Sequence, residues 1–114
     1  MALTITTRKA GDVTVVNPVG RINLGAGSTT LRETLLELSA GDHPKIVLNL
    51  SGVSNMDSSG IGELVSGFTT TRSRGGVLKL AALPKRVSDL LRMTGIYKIF
   101  EVHDDEARAI RSFE

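Results

Sequence analysis

Ile46-Val47-Leu48-Asn49-Leu50 is a short, almost wholly apolar run without polar alternation. A run of that kind suits a central parallel strand covered by other elements. Parallel neighbours cannot be joined by a tight turn and need long crossovers, usually helices. This one segment therefore commits the chain to alternating strands and helices, and the rest of the sequence supplies them. After it comes a polar stretch, Ser51 to Asp57, read as a loop. Then Ile61, Leu64, Val65 and Phe68 recur at i, i+3, i+4 and i+7, which predicts a helix beginning close to Ser58. Val77 to Leu83 reads as another strand. Pro84 suits the first turn of a helix carrying Val87, Leu90 and Leu91 up to Gly95. Ile99-Phe100-Glu101-Val102 reads as a last short strand, and Asp104-Asp105-Glu106 places acid at the positive end of a closing helix with Ala107, Ile110 and Phe113.

Ahead of the central run, Leu3–Thr7 and Val13–Asn17 are rich in β-formers and meet across Ala10-Gly11-Asp12, a hairpin spacing. A helix is expected from a capping box at Thr30 and Glu33, with Leu31, Leu35 and Leu38 on its inward stripe, Leu36 widening it and Gly41 marking its stop. The expected fold is α/β: a mixed, mainly parallel sheet, an antiparallel N-terminal hairpin at or near one edge, and about four helices. No repeat, linker or low-complexity tract divides the chain, so residues 1–114 read as one domain.

Composition removes several function classes. The sequence has no cysteine, which excludes thiolate catalysis, thiolate metal sites and disulfides, and fits a cytoplasmic setting. Its longest uncharged stretch, Ile46 to Met56, is about half of the ~20 apolar residues a membrane-spanning helix needs. Arg8 and Lys9 follow Leu3 and Ile5 rather than preceding them, which argues against export. A net charge of +2 with few, scattered aromatics argues against nucleic acid.

The chemistry concentrates in Asn55-Met56-Asp57-Ser58-Ser59-Gly60-Ile61-Gly62-Glu63, at the junction of strand and helix. Asp and Ser are natural N-caps, which is the plain reading of this segment. The glycines ask for more. Gly60, Gly62 and Gly67 together disfavour the helix by roughly 3 kcal/mol relative to alanine. Two glycines in the first turn leave backbone uncovered and let another surface approach a seryl oxygen. Phosphorylation there would add roughly −1.5 to −2 charges to a neutral surface at a helix end that favours anions, changing what the surface binds while leaving the fold intact. From these residues alone, Ser58 and Ser59 are equivalent candidates.

Other constellations fail. A hydrolytic triad of Ser58, His103 and Asp104 lacks the small residue two before the nucleophile, where Met56 stands. No histidines and acids fall at a metal-ligand spacing. Gly25-Ala26-Gly27 is not followed by the Gly-Lys-Ser/Thr of a phosphate loop.

The segment Met56 to Gly62, with the strand Ile46 to Leu50, the Arg72–Leu80 stretch with its Gly75-Gly76 turn, and the helix ending at Thr94-Gly95-Ile96, resembles the single-domain STAS proteins (sulfate transporter and anti-sigma factor antagonist), particularly the anti-sigma factor antagonists. That resemblance implies a non-enzymatic partner switch. Ser58 is the residue phosphorylated by a GHKL-type kinase that is also the anti-sigma factor, and a PP2C-type serine phosphatase reverses it. The unphosphorylated chain binds the kinase and frees a sigma factor. Asp57, Ser59, Gly60, Gly62, Arg21 and Asn23 are implied partner-binding residues, and no cofactor is needed. The chain departs from the family at Gly20-Arg21-Ile22-Asn23, where many members carry an acidic residue after the glycine and an aspartate at the position of Asn23. The alternative is a STAS scaffold or accessory subunit of a stressosome-like complex or a lipid-transport ATPase.

Overall fold

The computed structural model describes residues 3–114. Strands β1 (Thr4–Ala10) and β2 (Val13–Ile22) pair antiparallel across the Gly11 turn, where φ is +64°. Three strands follow in parallel, β3 (Lys45–Asn49), β5 (Val77–Ala81) and β6 (Val102–His103), giving the order β1-β2-β3-β5-β6 with β1 at one edge. The apolar run Ile46–Leu50 thus lies in the middle of the sheet, as its composition requires.

Strand alternation sorts the core onto two faces. Val16, Ile46, Leu48, Leu78 and Leu80 point to the face covered by α1 (Ala26–Leu38), α2 (Ser58–Ser73) and α3 (Lys85–Met93), where Leu31, Leu35, Leu64, Val87 and Leu91 complete the larger core. Val13, Val15, Val47 and Ala81 point to the other face, beneath Ala109 of α4 (Glu106–Arg111). Lys79 is buried on that second face. Its ammonium reaches Glu101 at 2.9 Å and Ser112 Oγ at 2.7 Å and lies over the Phe113 ring, so the charge keeps its partners.

Several local expectations are corrected. The stretch read as a loop after the central strand contains β4 (Val53–Met56), which pairs parallel with the end of β2 at Gly20–Ile22. Four residues with only Val53 and Met56 buried give no period for sequence reading to detect. β2 itself runs five residues beyond Asn17, through Pro18. Its pairing with β3 stops at Val16 and its pairing with β4 starts at Gly20, so Pro18 falls in a gap where no neighbour on that side needs its missing N–H.

Helix α1 starts at Ala26, and the Thr30–Glu33 capping box is not formed because Thr30 lies inside the helix. Gly27 permits the early start: a Cβ there would lie 2.4 Å from the Arg21 carbonyl oxygen. Leu36 does not widen the inward stripe but is half exposed, and the helix closes on Ser39 rather than Gly41. Finally, Pro84 is the N-cap of α3 rather than part of its first turn, and Ile96–Ile99 form a 3₁₀ turn, which reduces the last strand to Val102–His103.

Candidate functional site

Strands β2 and β4 end together, and α2 begins two residues after Met56. Asp57 is the N-cap of α2, with extended backbone. Its Oδ1 accepts from Ser59 N at 3.0 Å and Gly60 N at 3.1 Å, while Oδ2 accepts from Leu24 N at 2.9 Å. One carboxylate therefore caps the helix and ties down the β2–α1 loop. These donors, the Leu24 amide foremost, hold the Asp57 carboxyl below its ordinary value.

Because Asp57 supplies the cap, neither serine has to. Ser58 is the first helical residue and is exposed, whereas Ser59 is half-buried. Among the described residues no partner engages the Ser58 hydroxyl. Geometry thus separates two serines that composition left equivalent.

The glycines separate as well. A Cβ on Gly60 would lie 2.4 Å from the Ile22 carbonyl oxygen and 2.6 Å from Met56 Cγ. Gly60 is buried, and its small size lets α2 close onto β2 rather than opening a path for a visitor. Gly67 plays a similar part inside, since its Cβ would meet Leu35 Cδ1 at 2.6 Å. Only Gly62 matches the expectation of uncovered backbone: it is exposed, and a Cβ there would meet nothing within 4 Å.

Arg21 and Asn23 flank the buried Ile22 at the end of β2. Arg21 is exposed and stands in register with Asn55, with a shift between Gly20 and Arg21 that bends the strand. Asn23 is half-buried; its carbonyl accepts from Ser28 N at 2.9 Å, while its Oδ1 is buried without a partner. The structure thus brings Arg21, Asn23, Asp57, Ser58 and Gly62 to one end of the sheet. His103 lies elsewhere, on the far edge strand β6, with Nε2 at 2.6 Å from Glu101 Oε2, so no triad with Ser58 is assembled.

Two features escaped sequence reading. Leu24, whose amide donates to Asp57, is 80% exposed, and a single leucine in a polar loop carries no periodicity. Beside β4, a groove of about 600 Å³ runs along α3, lined by Asn55, Met56, Arg86, Leu90 and Met93 among others. Met93 is 83% exposed. Its signal was present, because Met93 falls off the Val87/Leu90/Leu91 stripe that fixes the helix to the core.

This arrangement, an unengaged serine opening a helix against a mixed sheet, coincides with a known family. The model of the STAS domain matches residues 4–109, and the chain belongs to that family. The anti-sigma-B factor antagonist of Bacillus subtilis (strain 168) is 36% identical over 87 residues, covering 76% of this chain and 78% of that protein. The anti-sigma F factor antagonist of Paenibacillus polymyxa is 33% identical over 69 residues, 60% of this chain and 59% of that relative, so the match spans less than two thirds of the latter. Among solved structures, an anti-sigma factor antagonist from Mycobacterium paratuberculosis superposes with a TM-score of 0.87 at 21% identity, covering 97% of this chain and 93% of that one. The Bacillus cell fate determinant SpoIIAA in its phosphorylated form gives a TM-score of 0.73 at 16% identity over 97% of this chain and all (100%) of the other. The fold is shared throughout. No helix among the described residues is long and apolar enough to cross a membrane.

Proposed function

We propose that this chain is an anti-sigma factor antagonist that works as a reversible serine phosphoacceptor. Its partner is an anti-sigma factor that is also a GHKL-type serine kinase. In the cytoplasm the unphosphorylated chain binds this kinase and so releases a sigma factor; the kinase then transfers the γ-phosphoryl group of ATP to Ser58 Oγ, and a PP2C-type phosphatase removes it. The chain acts as substrate and binding partner, not as catalyst.

The observation that carries this reading is the division of labour at the start of α2. Asp57 does the capping, which leaves the adjacent Ser58 hydroxyl exposed and without a structural task. A hydroxyl so placed can be esterified without breaking a helix cap or opening the core. The added charge of about −1.5 to −2 would then stand on an exposed surface next to the Asp57 cap, where a binding partner would have to desolvate it. The relatives named as anti-sigma factor antagonists support the partner class, and SpoIIAA, which shares this fold, is known in a phosphorylated form.

The test is phosphotransfer. With the chain's own anti-sigma kinase, ATP and Mg²⁺, the intact mass rises by one phosphoryl group, peptide mapping places it on Ser58, and Ser58→Ala stays unlabelled. An unchanged mass, or a label confined to another residue, overturns the proposal.

A further inference from the structure

The donors that open α2 are largely spoken for. Asp57 Oδ1 accepts from Ser59 N and Gly60 N at 3.0 and 3.1 Å, and Ile61 N donates to the Asp57 carbonyl at 3.1 Å. The positive end of a helix resides in such amides. A phosphoryl group on Ser58 therefore meets a helix terminus already committed to a carboxylate, and it stands beside that carboxylate as a like charge. Its counter-charge has to come from a side chain.

Among the described residues, the cations toward this end of the sheet include Arg21, Arg32, Lys85 and Arg86. Lys85 Nζ is bound to Asp89 Oδ2 at 2.8 Å. The nearest acid along α2, Glu63, faces Arg32 at 3.8 Å. Arg86 has no carboxylate partner among the described residues, but it stands on α3 across the groove. Arg21 is exposed and also lacks a carboxylate partner among the described residues. It precedes Ile22, whose carbonyl accepts the Asp57 amide at 3.4 Å, and it registers with Asn55, three residues before Ser58. Adjacent strands lie about 4.8 Å apart, which puts the Arg21 backbone one strand away from the segment that leads into Ser58.

We propose that Arg21 holds the phosphoryl group of phospho-Ser58 in a guanidinium–phosphate pair, while the α2 amides stay with Asp57. The inference rests on the phosphoacceptor reading and adds a positioning residue to it. The planar guanidinium fork matches two phosphoryl oxygens, and the charge-assisted bonds fix the group's direction as well as its charge. Two consequences follow. The phosphorylated surface is less negative than a free dianion would make it, and a phosphatase has to withdraw the group from Arg21 before hydrolysing it.

The test uses the full chain with phosphoserine inserted at position 58 during translation, so it needs no kinase. A ³¹P titration reads the second ionisation of the phosphoryl group, which lies near 6 when unperturbed. The phosphoserine in the otherwise native chain is expected to titrate about half a pH unit or more below that in the Arg21→Ala chain, with Arg21→Lys recovering part of the shift. The Ser59 and Gly60 amides should keep the protection from hydrogen exchange that they have in the unphosphorylated chain, and Asp57→Ala should lower it in both forms. The proposal is overturned if Arg21→Ala leaves the titration unchanged, if Arg86→Ala moves it instead, or if the protection of the two amides no longer depends on Asp57 because the phosphate has displaced it. Arg21 is exposed, so each variant's melting curve provides the check that it is folded. Failure of the kinase to label Ser58 would sink the phosphoacceptor reading without touching this measurement, and an unchanged titration would sink Arg21's role alone.

Discussion

Alanine at Gly60 and at Gly62 should move stability in opposite directions, although the two glycines are two residues apart in one helix. Gly62 is exposed with nothing within 4 Å of a built Cβ, so Gly62→Ala collects the full helix-propensity gain of about 1 kcal/mol. For a domain of this size that raises the melting temperature by about 4 °C. At Gly60 the same methyl group would lie 2.4 Å from the Ile22 carbonyl oxygen, 2.6 Å from Met56 Cγ and 2.9 Å from Ile22 Cγ2. The first of these is backbone and cannot rotate away. Forced overpacking costs about 3 kcal/mol at the upper end of its usual range, and the propensity gain offsets about 1, leaving a net loss of about 2 kcal/mol. Urea unfolding of both variants against the parent chain measures this. Binding then provides a second reading: a methyl group at Gly62, if that backbone is what the kinase approaches, should weaken association about fivefold or more, near 1 kcal/mol. A stabilised Gly60→Ala, or a destabilised Gly62→Ala, refutes the packing argument.

Three further outcomes are expected. Ser58→Ala should alter unfolding free energy by no more than about 0.5 kcal/mol, because Asp57 and not Ser58 caps α2; a larger loss in chemical denaturation means the hydroxyl has a structural partner. Asp57 is held below its ordinary 3.8, chiefly by the Leu24 amide, so its contribution is present above that pH and fades as pH falls through the lowered value. The melting-temperature gap between the parent chain and Asp57→Ala should accordingly be constant near neutrality and shrink in acid; a gap that widens in acid contradicts the assignment. Leu35→Ala should cost about 2.7–5 kcal/mol, and adding Gly67→Ala should recover part of that, since the new methyl points at the vacated Cδ1 position 2.6 Å away; strict additivity in a double-mutant cycle would count against it.

The sheet was legible because its determinants are local and periodic. The unbroken run at Ile46–Leu50 and the i, i+3, i+4, i+7 spacing at Ile61 to Phe68 each depend only on burial of one element against the rest. What sequence reading missed depended on partners distant in the chain. β4 exists because Gly20–Ile22 lies alongside it, and α1 starts at Ala26 because Gly27 lets it approach the Arg21 carbonyl. At the site, the segment Asp57 to Gly62 stood out in the sequence, but the geometry within it required coordinates. Asp57 reaches Leu24, 33 residues away, and Gly60 answers to Ile22 rather than to an outside surface. A residue's neighbours along the chain suggest its type of duty; only its neighbours in space say which of two serines is exposed and which of two glycines is packed.

A phosphoacceptor switch of the kind proposed requires that charge on Ser58 change what the molecule binds while its fold stays put. The decisive measurement is the affinity of the proposed anti-sigma kinase for the chain with serine and with phosphoserine at position 58, both forms having matched melting curves. The expected result is at least a tenfold loss, about 1.4 kcal/mol, on phosphorylation with no change in melting. Equal affinities for the two forms, or a weakened complex that merely tracks a phosphorylated chain already partly unfolded, would contradict it.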